Sequence, residues 1–164
     1  MKKLIICLAI VLVISVPASA IVEYNDGAVH DLTSITHENF WISGDTTVNI
    51  GDGVTLTIDA STTYATSYVG AGGGGTSAYL NLSGSGQINF EQERAFGMAD
   101  DEPADDTVET ILNMSGTSYM NPATLYLGMR GDCIINITDD AMIDVRADGT
   151  LYTPGILLGN QHYG

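Results

Sequence analysis

The stretch Val48-Asn49-Ile50-Gly51-Asp52-Gly53-Val54-Thr55-Leu56-Thr57-Ile58 decides the fold, because the chain repeats its pattern three more times. Each copy reads apolar-Asn-apolar, then a short polar turn, then apolar-polar-apolar. The asparagines of successive copies are 32, 32 and 23 positions apart. Recurrence at this distance is typical of stacked repeat proteins. The other copies are residues 80–90, 112–122 and 135–145.

The repeats predict strands and not helices. Apolar residues alternate with polar ones over short runs, as in Val54-x-Leu56-x-Ile58, and helical periodicity is nearly absent. With about three short strands per repeat, the pattern predicts an all-β parallel β-solenoid of about four to five short coils. A right-handed winding is preferred. The alternative is a β-sandwich with Greek-key connections.

A second recurring feature is a glycine that follows an apolar residue, found before the second, third and fourth copies of the phrase and once more after the fourth. These glycines are spaced 27, 31 and 31 residues apart, which predicts that they occupy equivalent places at the ends of successive strands. They are Gly70, Gly97, Gly128 and Gly159.

Alternation along a strand fixes which side chains face outward. If Val48 and Ile50 point into the core, Asn49 points away from it, and the same holds in every copy. In-register stacking therefore predicts an outer ladder, which we take as the candidate binding residues: Asn49, Asn81, Asn113 and Asn136. It also predicts a second, less regular ladder of Thr57, Asn89, Asn121 and Asp144.

The first twenty residues have the organisation of a signal peptide. A basic Met1-Lys2-Lys3 start precedes an apolar core of 13 residues, and Pro17-Ala18-Ser19-Ala20 supplies a small-residue cleavage site. The apolar stretch is shorter than the roughly 20 residues of a membrane span. This predicts export, with no membrane span after signal cleavage.

The rest of the chain divides into two predicted regions. Residues 21–45 are predicted to be an N-terminal cap, and residues 46–164 to be solenoid repeats. Residues 155–160 open a fresh repeat that has no Asn strand after it, so we expect the repeat region to be incomplete at the C-terminus.

The charge balance argues against several partners. The chain has 20 acidic and five basic residues, a formal net charge of −15. Removal of Lys2 and Lys3 with the signal would leave three arginines and a net charge of −17. Such a surface repels phosphate backbones and anionic headgroups, so neither nucleic acid nor an acidic membrane surface is an expected partner.

Calcium is the cofactor that the acidic residues suggest. Oxygen-rich loops suit this hard cation, which takes six to eight oxygen ligands. A solvated acidic loop is the favoured interpretation of the same residues, and a calcium site the alternative. The five carboxylates concerned are Asp100, Asp101, Glu102, Asp105 and Asp106.

One cysteine remains after the signal, so no internal disulfide can form. Cys133 begins an apolar run, and we predict a buried structural thiol there. No set of residues with catalytic spacing stands out, and no catalytic residue is predicted.

With its signal peptide and its apolar-Asn-apolar-Ser-Gly phrases, the chain resembles secreted bacterial β-helix repeat proteins over about residues 44–160. These include autotransporter-passenger-like surface proteins and exported proteins that end in a Pro-Glu-Pro sorting tail. The resemblance implies a secreted or cell-surface, adhesin-like protein with a matrix or scaffold role. Extracellular glycans or other surface proteins would be its partners. The alternative hypothesis is the N-terminal part of a polysaccharide-active β-helix lyase or hydrolase.

Overall fold

Sixteen short β-strands, numbered in chain order, make up the regular structure of the described residues. The computed structural model describes residues 21–59, 66–71, 76–91, 94–100, 109–128, 131–146 and 155–158. The predicted signal peptide, residues 1–20, lies outside these ranges.

The strands form three sheets, and each sheet takes every third strand of the chain. Sheet A contains β1 (Ile21–Tyr24), β4 (Asn39–Ile42), β7 (Thr66–Ala71), β10 (Ala95–Asp100), β13 (Thr124–Leu127) and β16 (Gly155–Leu158). Sheet B contains β2 (Val29–Asp31), β5 (Thr47–Ile50), β8 (Ala78–Leu82), β11 (Glu109–Met114) and β14 (Asp132–Ile137). Sheet C contains β3 (Ile35–His37), β6 (Thr55–Ile58), β9 (Gln87–Phe90), β12 (Tyr119–Met120) and β15 (Met142–Ile143).

Every strand pairing in the described part of the chain is parallel, and the pairs are in register. The chain passes from sheet A to B to C and back, so three consecutive strands make one coil. Five complete coils are described, and β16 is the first strand of a sixth. The predicted parallel β-solenoid is confirmed, and the sandwich alternative is excluded because its sheets would be antiparallel.

Alternating side chains fill the space between the three sheets. In β5 and β6 the residues alternate between partly buried and buried, with Val48, Ile50, Leu56 and Ile58 at 1% exposure or less. The inward-facing residues of successive coils stack on one another and form one apolar core. The predicted inward direction of Val48 and Ile50 is confirmed.

The turns between sheets B and C stack in the same way as the strands. Within one coil, the amide of Val54 donates to the carbonyl of Gly51 over 3.1 Å. Between coils, the Asp52 carboxylate accepts hydrogen bonds from the amide and the hydroxyl of Ser85, at 3.0 and 2.7 Å. These bonds lower the pKa of Asp52, the side-chain bond most. The polar part of the repeated phrase therefore joins coils as well as reversing the chain.

The glycine alignment predicted from the sequence is wrong for Gly97. The register places Gly97 opposite Tyr68 and Tyr126, inside the strands of sheet A. A Cβ at Gly97 would lie 2.4 Å from Cε1 of Tyr68, so the tyrosine ring occupies the space that a side chain would need. Ala99 takes the corner position of Gly70 and Gly128, and all three have positive φ angles, of 56°, 77° and 62°.

The region predicted as an N-terminal cap takes part in all three sheets. Its strands β1, β2 and β3 pair with β4, β5 and β6 and form the first coil of the stack, which we call coil 1. Coil 1 does not carry the repeated phrase: Asp31, and not an asparagine, lies opposite Asn49.

Candidate functional site: an asparagine ladder on sheet B

The predicted asparagine ladder lies on the outer face of sheet B. The strand register places Asn49 opposite Asn81, Asn81 opposite Asn113, and Asn113 opposite Asn136. Their neighbours along each strand point into the core, which turns the amides outward. The first three are partly buried and Asn136 is exposed.

Hydrogen bonds join the four amides in a single row. Nδ2 of Asn81 donates to Oδ1 of Asn49, and the same bond recurs between the next two pairs, each time at 2.8 Å. Nδ2 of Asn49 donates in turn to the Asp31 carboxylate, also at 2.8 Å. Because every donor lies on the later coil, all the bonds run in one direction, and Asp31 ends the row as a pure acceptor.

The ladder leaves hydrogen-bonding capacity for a partner. A primary amide has two N–H groups and two lone pairs on its oxygen, and each ladder bond uses one of each. The spare groups recur at the strand spacing of about 4.8 Å. The face thus offers a regular row of uncharged donors and acceptors.

A largely apolar column runs beside the ladder, two residues before each asparagine and before Asp31. In-register pairing aligns its members across all five strands of sheet B. The two end members, Val29 and Ile134, are 65% and 42% exposed, and the others are partly buried. We call this set the outer apolar column: Val29, Thr47, Tyr79, Ile111 and Ile134.

Acidic residues border the outer apolar column on the side away from the ladder. Glu109 pairs with Asp132 across β11 and β14, and both are exposed. With Asp31 at the end of the ladder, carboxylates lie on two sides of the face. The arrangement suits an uncharged, amphipathic partner and disfavours an anionic one.

The second predicted ladder, on sheet C, is only partly formed. Thr57 is opposite Asn89, and Nδ2 of Asn121 donates to Oδ1 of Asn89 over 3.2 Å. The row then stops, because the side chain of Asp144, which follows Ile143 in the register, has no N–H group to donate; Oδ1 of Asn121 accepts from the Phe90 amide at 2.8 Å. Asp144 instead pairs with Arg146, which lowers the pKa of Asp144 through their hydrogen bond. Sheet C offers a less regular surface than sheet B, as the sequence predicts.

The acidic residues considered for calcium fall mostly outside the described structure. Asp100 is the last residue of β10, while Asp101, Glu102, Asp105 and Asp106 lie outside the described ranges. Among the described residues, no group of three or more His, Cys, Asp or Glu side chains is placed to hold a metal ion. Calcium binding at this loop stays a prediction, and a melting temperature that is the same in EDTA and in millimolar calcium would exclude it.

Cys133 lies in β14 and is partly buried. The predicted burial is therefore only partial, and this burial raises the pKa of its thiol, which favours the protonated form.

Sequence reasoning missed two parts of the face: Asp31 and the outer apolar column. Asp31 departs from the asparagine pattern, so the repeat spacing does not reveal it. The outer apolar column is visible in the sequence, since one apolar, aromatic or threonine residue stands two positions before Asp31 and before each asparagine of the ladder.

We expect the middle of the ladder to tolerate alanine better than aspartate near neutral pH. Asn81→Ala removes two hydrogen bonds and should lower the free energy of unfolding by about 1–3 kcal/mol. Asn81→Asp keeps an acceptor for Asn113 but turns a carboxylate oxygen toward the Asn49 oxygen. Charge repulsion adds to the lost bond and raises the pKa of the new carboxyl above its unfolded value. The extra loss of unfolding free energy is therefore largest at pH values above the pKa that the new carboxyl has in the folded state. It disappears as the pH falls from that pKa to the lower pKa of the unfolded chain.

Urea unfolding midpoints of both variants and the wild type, measured near neutral pH and near pH 4, test this expectation, because an unperturbed aspartate titrates at about 3.9. Asn136→Ala is the control, since it removes one bond at the exposed end of the row and should cost about 0.5–1 kcal/mol. Equal effects of Asn81→Asp at both pH values would contradict the ladder as described.

We compared the chain with family models, curated proteins and solved structures. No family model, no curated protein and no solved structure matches the chain. A search of the described residues for a helix with the length and apolar character needed to cross a membrane finds none.

Proposed function

We propose that this chain is an exported, non-catalytic β-solenoid of the extracellular space or cell surface, with an adhesion or matrix-scaffold role. Its partners are extracellular glycans or other surface proteins, bound on the outer face of sheet B. The observation that supports this proposal is the in-register amide ladder with the outer apolar column beside it. Export rests on the sequence of residues 1–20, and protein recovered from the medium should begin at Ile21.

The face fits a glycan chemically. Sugar rings combine hydroxyl groups with apolar C–H surfaces, which match the spare amide groups of the ladder and the outer apolar column. Tyr79 supplies an aromatic ring within this column. The carboxylates at the borders and the net charge of −15 favour neutral over acidic polysaccharides.

The test is binding of the full chain to immobilised neutral and acidic polysaccharides and to purified cell-surface proteins. We expect a neutral polysaccharide or a surface protein to bind, and the double variant Tyr79→Ala/Ile111→Ser to weaken that binding at least tenfold. Thr55→Ala, which alters a partly buried residue on the outer side of sheet C, is the matched control and should bind as the wild type does. Wild-type binding that the double variant leaves unchanged would contradict the proposed face, and no binding to any of these partners would contradict the proposed role.

A further inference from the structure

Coil 1 differs from the other coils in the side chains that it points into the core. The register places Tyr24 opposite Ile42, His30 opposite Val48, and His37 opposite Ile58. At these three inward positions the second coil has aliphatic residues, while coil 1 has one tyrosine and two histidines. Two of the chain's three histidines therefore face the end of the apolar core.

The three residues form one cluster, to which each of the three sheets contributes one member. The Tyr24 hydroxyl lies 3.0 Å from Nε2 of His37. The Tyr24 ring packs edge-on against His30 with their centroids 5.1 Å apart, and lies 6.3 Å from His37. The contacts of this cluster join β1, β2 and β3 across the core.

The two histidines differ in their surroundings. His30 is partly exposed, and its Nε2 lies 2.9 Å from Oδ1 of Asp26. The hydrogen bond with His30 is also the main cause that lowers the pKa of Asp26. His37 is 7% exposed, and its ring bonds to the Tyr24 hydroxyl and to the backbone of Thr36.

The groups packed around His37 include few charges. β1 contributes Tyr24, which also contacts His30 of β2, and β6 contributes Ile58, which lies opposite His37 in the sheet. The nearest carboxylates along the strands are Glu38, next in sequence, and Asp59, whose amide donates to the His37 carbonyl over 2.9 Å. Burial is the larger cause acting on His37 and lowers its pKa, while the Thr36 bond acts in the opposite direction.

The sign of the pH effect follows from this burial. A histidine whose pKa is lowered in the docked coil does not change the free energy of docking above its ordinary pKa, because it is then uncharged in both the docked and the undocked state. As the pH falls through that ordinary value, the undocked coil takes up a proton that the docked coil resists. Docking of the coil is therefore complete at neutral pH and weakens in mild acid.

We propose that coil 1 is a pH-sensitive cap, in which protonation of His37 releases β1–β3 from β4–β6. Release uncovers the strand edges of the second coil in all three sheets. It also uncovers core residues that coil 1 shields, among them Phe40, Val48 and Ile58. A parallel strand from another molecule could then pair with these edges, as exposed strand edges allow.

Trp41 makes the release measurable in the full chain. It is the sole tryptophan, and it lies in β4 opposite Glu23 of coil 1. Between about pH 8 and about pH 5 we expect a red shift of its fluorescence, with the undocking constant rising up to about tenfold per pH unit below about 6.5. The protection factors of residues 21–37, which are their hydrogen-exchange rates corrected for the intrinsic pH dependence of amide exchange, should fall in the same range, while those of residues 78–90 stay high.

Two variants assign the effect. His37→Gln keeps an uncharged acceptor for Tyr24 and should abolish the transition, while His30→Gln, the matched control, should retain it. The proposal is overturned if the wild-type spectrum does not change with pH, or if His37→Gln shows the wild-type transition. It is also overturned if residues 78–90 exchange as fast as residues 21–37 in acid, since the whole chain would then be unfolding. If His37→Gln fails to fold, the wild-type protection factors still test whether coil 1 undocks separately from the rest of the chain, and equal protection of residues 21–37 at about pH 8 and about pH 5 overturns the proposal.

Discussion

Phe96→Ala is expected to lower the free energy of unfolding by about 3–5 kcal/mol, the usual cost of deleting a fully buried aromatic side chain. Phe96 lies in β10 and is 0% exposed. Its ring packs between those of Phe40 and Phe90, each 6.2 Å away between centroids. The three rings come from sheets A and C and fill the middle of the core, so the surrounding coils cannot close the cavity.

Chemical denaturation followed by far-UV circular dichroism measures this loss through the unfolding midpoint. The control is Leu158→Ala, because Leu158 is 77% exposed and its truncation should change stability by less than about 0.5 kcal/mol. Similar midpoints for the two variants would show that Phe96 does not occupy the packed core.

Gly116→Ala is the second large effect, and we expect a loss of about 2–5 kcal/mol from two sources. Gly116 has a φ angle of +72°, where an L-residue costs about 1–2 kcal/mol. An added Cβ would also lie 2.7 Å from the carbonyl oxygen of Gly84 in the turn of the preceding coil. That contact is with backbone, so relief requires the stacked turns to move apart, at a cost of about 1–3 kcal/mol.

Gly53→Ala separates the two sources. Gly53 has nearly the same φ angle, +71°, but nothing lies within 4 Å of an added Cβ. It should lose only the conformational part, about 1–2 kcal/mol. If thermal or urea unfolding finds the two alanine variants equally stable, the turns are not stacked as tightly as described.

Much of this fold can be predicted from the repeated phrase alone. Strict alternation around Asn49, Asn81 and Asn113 determines which residues are inward, and the repeat distance favours parallel pairing between the strands of successive copies. Stacking in register then places like residues next to each other, which is why the ladder on sheet B could be predicted residue by residue.

The remainder depends on contacts between coils that the repeat does not encode. Coil 1 escapes detection because Asp31 replaces the asparagine and because Tyr24, His30 and His37 replace aliphatic residues. Gly97 resembles the corner glycines in sequence, but its place is determined by the Tyr68 ring from the neighbouring coil. These exceptions depend on how side chains of neighbouring coils pack against each other. That packing is known only once the pairing of the strands is known.

The uniform direction of the ladder bonds makes the outer face of sheet B electrostatically asymmetric. Each side-chain amide is a small dipole with its hydrogen toward coil 1 and its oxygen toward the later coils. Aligned dipoles add, as they do along a helix, and the carboxylate of Asp31 lies at the positive end of the row. Sheet B is therefore polar along the stacking direction, and a linear polymer laid along it would meet different electrostatics in its two orientations.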